Sequence, residues 1–188
     1  MKAQFKNNAL KALFIYNGIF VMAAAMLGPL YAIYVVRFVD GVIAVSISWA
    51  AFLISTSFFT YVVSKKGDQV KEREYLLLAG YLVRIISWLL LIFVHSLAAL
   101  VLVQVFLGLG ESLGSPSFNV LFADHLDKNR HVKEYSEWLL IANLTSAAGI
   151  IAGGIIVNNY GFETLFILMS LLSLVSFFGI LFKPRKLL

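Results

Sequence analysis

Long apolar runs separated by short polar segments dominate the chain. Six runs occupy roughly residues 11–36, 41–63, 75–94, 97–123, 138–158 and 162–182. Each is close to the ~20 residues that a helix needs to cross a hydrocarbon core of about 30 Å. The longer polar stretches are SKKGDQVKERE, after the second run, and ADHLDKNRHVKE, after the fourth. The pattern predicts an all-α integral membrane protein, with one domain over residues 1–188 and six transmembrane helices.

Composition supports this interpretation. Apolar residues make up 61% of the chain and charged residues 13%, whereas average soluble domains have about 45–50% and 25%. Cysteine is absent, which excludes disulfides and thiolate metal sites. We also expect no metal, no cofactor and no nucleic-acid partner.

The positions of the basic residues predict the orientation. Arg37 lies between the first two runs and Arg84 lies inside the third. The other 13 of the 15 fall on one side of the predicted bundle: Lys2, Lys6, Lys11, Lys65, Lys66, Lys71, Arg73, Lys128, Arg130, Lys133, Lys183, Arg185 and Lys186. Because cytoplasmic loops are enriched in Lys and Arg, both termini are expected in the cytoplasm, with the protein in the inner (cytoplasmic) membrane.

The first and fourth runs share a pattern. The first ends in GPLYAIYVVRFVD and the fourth in GSPSFNVLFADHLD. In each, an aspartate follows the proline by 11 residues, from Pro29 to Asp40 and from Pro116 to Asp127. The first run would point outward and the fourth inward, so the two segments would be inverted copies in a three-plus-three bundle.

Polar residues on the fourth run share one helical face. Gln104, Gly108, Glu111, Ser115 and Asn119 fall within about 80° of arc at 100° per residue. They extend over about 22 Å of helix at 1.5 Å per residue. Since lipid would not tolerate such a face, it is expected to point at protein or water.

Other runs add candidate substrate contacts. Asn17 and Tyr31 lie in the first run, Trp49 in the second and Asn143 in the fifth. The aromatic residues could instead be ordinary membrane-interface side chains. The amides could instead make interhelical hydrogen bonds worth about 0.6 kcal/mol each. Both interpretations stay open for each residue taken singly.

Glu111 and Arg84 lie at similar depth, near the middle of the fourth and third runs. A charge at the bilayer centre costs at least about 2.5–3.5 kcal/mol. One solution is a structural ion pair between the two residues. The other is a protonated Glu111 facing a cavity, where desolvation disfavours the carboxylate and the group can carry protons.

Catalysis and channel function are disfavoured. GESLG at 110–114 matches the G-x-S-x-G pattern of serine hydrolases, but that motif requires a strand-turn-helix. The sixth run also lacks the histidine that a catalytic serine would need. We find no H-E-x-x-H motif, arginine ladder or carbonyl-filter sequence. Transport is the remaining class.

Two motifs resemble those of the major facilitator superfamily. QVFLGLGESLGSP is similar to the family's fourth-span pattern R-x-x-x-G-x-G, with Gln104 at the arginine position. AAGIIAGG resembles its fifth-span pattern G-P-x-x-G-G, which keeps Gly149, Gly153 and Gly154 and has Ile150 at the proline position. The loop YVVSKKGDQVKERE stands where the family has G-x-x-x-D-R-x-G-R-R, and a serine replaces its aspartate.

This resemblance implies a half-length, six-span member of the family. The two halves of such transporters have the same orientation, so a two-fold homodimer would complete the fold. The family implies that the first and fourth spans line a central cavity, the second and fifth form the seam, and the third and sixth are peripheral. The glycines at 149, 153 and 154 would let helices pack closely.

The implied function is secondary active transport of a small polar solute, a sugar or similar metabolite, by alternating access. Glu111 is the expected proton-coupling residue, and protons and the solute are the expected small partners. The expected substrate contacts are Gln104, Ser115, Asn119, Asn17, Tyr31, Trp49 and Asn143. The alternatives are a non-transporting membrane scaffold, a lipid-handling dimer and a multidrug exporter.

Overall fold

The computed structural model describes residues 8–39, 41–67, 70 and 72–183. Its elements are α1 (Asn8–Ala25), a 3-10 turn (Gly28–Leu30), α2 (Tyr31–Val35), α3 (Val42–Lys66), α4 (Glu74–Leu91), α5 (Leu97–Asp124) and α6 (His131–Leu181). Five helical stretches are long and apolar enough to cross a membrane, judged by length and composition. Asp40 and the basic residues Lys2, Lys6, Lys71, Arg185 and Lys186 lie outside the described residues.

The first apolar run is divided near its proline. Pro29 lies in the 3-10 turn that follows α1, where its missing N–H and fixed φ suit the start of a turn. The short α2 then packs beside the end of α4, because the Tyr34 hydroxyl donates to the Leu91 carbonyl at 2.6 Å. Pro116, by contrast, lies inside the continuous helix α5.

A single glycine interrupts α6. Gly161 has φ 82° and ψ 177°, a left-handed conformation that glycine adopts without steric cost. We refer to residues 131–160 as α6N and to residues 162–181 as α6C. Directly after the break, the Phe162 ring lies 5.3 Å from that of Tyr34, which anchors the start of α6C against α2.

Two of the three predicted packing glycines hold α1 against α6N. A Cβ at Gly149 would collide with the carbonyl oxygen of Met22 on α1, and one at Gly153 would collide with that of Met26, the residue that follows α1. Gly154 differs, because a Cβ there would have no neighbour within 4 Å. Adjacent residues point about 100° apart on a helix, so Gly154 faces away from the interface.

Glycines also bring α4 and α5 into backbone contact. A Cβ at Gly80 would lie 2.6 Å from the backbone nitrogen of Gly114 and 2.8 Å from the carbonyl oxygen of Gly110. One at Gly110 would lie 2.8 Å from Cγ of Arg84. This close approach holds the third span directly against the fourth, while Leu82 and Ile86 of α4 remain 44% and 49% exposed.

Helix α3 is the most exposed of the long helices. It packs on α5, where the Ser55 hydroxyl donates to the Val105 carbonyl at 2.7 Å. Only 17% of its apolar window is buried, against 39–44% for the other four. Ile43, Ile54 and Phe58 are 75%, 70% and 60% exposed. The outer face of α3 must therefore contact lipid or another protein.

The polar ends of α4 and α5 are joined by charge. Arg73, at the start of α4, pairs with Asp124, at the end of α5, at 2.7 Å. Ser64, at the family's aspartate position, donates to the Tyr61 carbonyl of its own helix. This ion pair thus joins the ends of α4 and α5 directly.

Candidate functional site

A cavity of about 520 Å³ is lined by residues of α1, α4, α5 and α6N. Its polar lining comes from Asn17 on α1, Tyr81 and Arg84 on α4, Glu111, Ser115 and Asn119 on α5, and Ser146 on α6N. Its apolar wall includes Phe20, Phe118 and Trp138. Because α1 packs mainly on α6 while α5 packs on α3 and α4, the space between α1 and α5 remains open.

A second cavity of about 200 Å³ continues toward α2 and α3. Tyr31, Trp49, Trp88 and Gln104 are among the residues that line it. Ala24, Arg84 and Glu111 line both cavities. The two charged residues therefore stand at the boundary between the two spaces.

Arg84 and Glu111 form an ion pair at this boundary. Nη2 of Arg84 contacts Oε2 of Glu111, and their side chains are 12% and 30% exposed. The Ser115 hydroxyl, one turn further along α5, donates to the other carboxylate oxygen. The Arg84 guanidinium also lies 5.1 Å from the centre of the Phe20 ring. The carboxylate neutralises a guanidinium that would be costly alone at this depth, while its edge still faces the cavity.

Asn17 and Tyr81 form a buried polar contact in the lining of the first cavity. The Tyr81 hydroxyl donates to Oδ1 of Asn17 at 2.5 Å, and the Tyr81 ring stacks on Phe20 at 4.1 Å. Sequence reasoning missed Tyr81. The available signal was its position three residues before Arg84, which puts both side chains on one face of α4.

Three predicted residues meet in the second cavity. Gln104 donates through Nε2 to the Tyr31 hydroxyl, which donates to Oγ of Ser48 at 2.7 Å. The Trp49 ring lies 5.5 Å from that of Tyr31. These contacts join α2, α3 and α5 at one end of the bundle.

An aromatic cluster closes the other end of the first cavity. The Trp138 ring lies 4.8 Å from Phe118 and 5.6 Å from Phe14, and Phe14 lies 5.8 Å from Phe122. The cluster thus joins side chains of α1, α5 and α6N near the polar end of the bundle.

The remaining predicted residues lie in the first cavity, on the surface and at a helix interface. Asn119 is exposed and lines the first cavity. Asn143 is exposed on α6N and lines neither of the two cavities described above. Gly108 faces α3, since a Cβ there would lie 2.7 Å from the Ser55 hydroxyl oxygen. The polar face of α5 therefore serves both cavities and one helix interface.

Comparison with known families agrees with this architecture. A search among curated proteins finds no match to the chain. The sequence model of the Major Facilitator Superfamily, in contrast, matches residues 12–187, which is nearly the whole chain. That match, together with the membrane-length apolar helices around a central cavity, shows that this multi-pass membrane protein belongs to the major facilitator superfamily of transporters.

Proposed function

We propose that the protein is a proton-coupled secondary transporter of a small polar solute, such as a sugar or similar metabolite. The observation that carries the proposal is the Arg84–Glu111 pair, which lines two cavities whose other lining residues carry no charge. Ionisable residues within membrane spans commonly mark substrate and proton pathways. A purely structural pair would have no need of water-accessible space on both sides.

The proposal includes six spans with both termini in the cytoplasm. A helix of 51 residues would extend about 76 Å at 1.5 Å per residue, more than twice the hydrocarbon thickness of about 30 Å. The break at Gly161 supports a division of α6 into two antiparallel spans. The excess of Lys and Arg at one end of the bundle supports the orientation in the cytoplasmic membrane.

The two cavities support a mechanism of alternating access. In this orientation the first cavity lies toward the cytoplasm and the second toward the outside. The hydrogen bonds of Tyr31 would restrict the outer side, and the Phe14–Trp138 cluster would restrict the inner side. Substrate would be held beside Glu111 by the predicted polar residues Asn17, Gln104, Ser115 and Asn119, with Tyr31 and Trp49 as apolar contacts.

Solute-driven proton movement is the direct test. We expect wild-type protein in liposomes that contain a pH-sensitive dye to move protons when a gradient of lactate, glycerol or glucose is imposed. Glu111→Gln should abolish the coupling, because glutamine cannot bind and release a proton at working pH. A folded Glu111→Gln protein with unchanged proton movement would refute the coupling role. If wild type moves no protons with any of the three solutes, the scaffold alternative is favoured.

The proposal also includes a homodimer, in which a second copy covers the exposed face of α3 with its α6N. Because the chain has no cysteine, single cysteines give a clean test. We expect a short bifunctional reagent to join Ile54→Cys in one copy to Leu144→Cys in the other, both of which are exposed near mid-helix. Leu171→Cys on α6C, exposed at similar depth, is the matched control. Equal cross-linking of both pairs would count against this seam.

One observation favours the lipid-handling alternative. An open apolar groove of about 620 Å³ runs between Tyr16 and α6C, with Lys183 at its end. The Lys183 ammonium lies 5.6 Å from the Tyr16 ring centre, a position where a basic residue could meet a lipid headgroup. Retention of anionic lipid by purified wild type, lost in Lys183→Gln, would support this alternative.

A further inference from the structure

We infer that the substrate is a small monovalent organic anion, a monocarboxylate, which displaces Glu111 from Arg84 as Glu111 takes up a proton. This inference rests on the proposed function, and it narrows the polar solute to one charge class. Two features support it: the charges that face the cavities, and the ability of Glu111, but not of Arg84, to become neutral at working pH.

Arg84 and Glu111 are the only charged residues among the described residues that line the two cavities. The groups that α1 presents to this space include Asn17, and α6N presents Ser146 and Trp138. Helix α3 presents Trp49 and Phe52. The other ionisable groups are two tyrosines, Tyr81 on α4 and Tyr31 on α2. A substrate charge can therefore be compensated only by one member of the pair.

The two members respond differently when a substrate takes their partner. A cation bound to Glu111 would leave Arg84 alone, and a guanidinium cannot lose its proton at working pH. An anion bound to Arg84 would leave Glu111 alone, and a carboxyl group can become neutral by taking up one proton. Only the anion leaves every charge at mid-membrane either paired or neutralised.

The exchange balances in charge and protons. One proton from water binds the Glu111 carboxylate, and one anion replaces that carboxylate at Arg84. The loaded site then carries the guanidinium and the substrate carboxylate, which is the same net charge as the empty site with its ion pair. On the opposite side the proton and the anion leave, and Glu111 returns to Arg84. Uptake of a monocarboxylate with one proton is therefore electroneutral.

Neighbouring groups fit both states of the site. Phe20 holds the guanidinium from its ring face, an interaction worth about 0.5–2 kcal/mol that does not depend on Glu111. Arg84 therefore stays in the cavity wall when the carboxylate leaves. Ser115 can hydrogen-bond Glu111 either ionised or protonated. Asn17 and Asn119 supply polar contacts for a substrate hydroxyl in the same cavity.

Equilibrium binding of lactate, with glycerol as a neutral control of similar size, tests the inference. Tryptophan fluorescence provides a signal, since Trp49, Trp88 and Trp138 line the cavities. Because proton and anion binding are reciprocally coupled, we expect wild type to bind lactate about tenfold or more tightly at pH 5.5 than at pH 7.5. Lactate stays ionised at both values, so the change belongs to the protein.

The two substitutions should have opposite effects. Arg84→Gln should abolish lactate binding, whereas Glu111→Gln should bind lactate as tightly at pH 7.5 as wild type does at pH 5.5, with the pH dependence lost. A merely structural pair would weaken binding in both variants. Unchanged lactate binding in folded Arg84→Gln would overturn the inference. If Glu111→Gln does not fold, wild-type lactate binding that is independent of pH would overturn it equally.

Failure of the inference can be told from failure of the proposed function. Proton-driven movement of glycerol or glucose with no lactate binding would leave the transporter intact and refute the anion. Lactate binding with the expected pH dependence, but no movement of any solute in liposomes, would refute the transporter and keep the anion site. With both activities present, lactate uptake that changes with an imposed potassium diffusion potential would refute electroneutral exchange.

Discussion

Glu111→Gln is expected to lower the stability of the protein by about 3 kcal/mol at pH 7, because it leaves the Arg84 guanidinium without a counter-charge at mid-membrane. Adding Arg84→Gln to this variant should restore most of the loss. The double variant replaces two charges with two amides, and neutral replacement of a buried pair is often tolerated. The expected coupling between the sites is at least about 2 kcal/mol in a double-mutant cycle.

The single variants should also differ in their response to pH. In Arg84→Gln the unpaired Glu111 can bind a proton, so the folded state binds more protons than the unfolded state and stability rises as the pH falls from 7 to 5. In Glu111→Gln the Arg84 guanidinium stays charged from pH 7 to 5, so stability does not rise as the pH falls. Thermal stability in detergent, followed by size-exclusion chromatography with tryptophan detection, measures both variants.

The cycle has a clear contrary outcome. If both single variants are as stable as wild type, the pair carries no net interaction and water in the cavities solvates each charge. If the double variant is less stable than either single variant, the two residues act independently. In either case Arg84 and Glu111 would lie close together without a favourable interaction free energy. The exchange between Glu111 and a substrate anion depends on that interaction.

The meeting of Arg84 and Glu111 could be anticipated because adjacent antiparallel helices bring residues of similar depth together. The polar face of α5 could also be predicted from the sequence. Helical periodicity alone places Gln104, Glu111, Ser115 and Asn119 on one side of the helix. The membrane character followed from apolar length and composition. These features depend on residue spacing, apolar length and depth along a helix, which can be calculated from a sequence.

Close contacts between helix backbones, and breaks in a helix, could not be predicted from the sequence. Gly153 and Gly154 are adjacent in one motif, but only Gly153 lies against Met26. The close contact of α4 with α5 depends on the fit of Gly80 between Gly110 and Gly114, and no periodic pattern distinguishes that fit from a lipid-facing glycine. Gly161 interrupts α6 through a positive φ that its neighbours in sequence do not reveal.

The fit of Gly80 leads to a second large expected effect. Gly80→Ala should lower stability by about 3 kcal/mol, the upper part of the range for overpacked interiors, because the new methyl group meets backbone atoms that no rotamer change can move. Separation of α4 from α5 would also draw Arg84 away from Glu111, so solute-driven proton movement should fall with stability.

Gly114→Ala is the matched control for this prediction. It lies on the facing helix of the same interface, but a Cβ there would lie 3.8 Å from Cα of Gly80, an ordinary contact. Alanine is also favoured over glycine in helix interiors by about 1 kcal/mol, so this variant should be as stable as wild type or slightly more so. Thermal midpoints in detergent compare the two. Equal stability of Gly80→Ala and Gly114→Ala would mean that α4 can shift without cost, and that backbone contact at Gly80 does not position the ion pair.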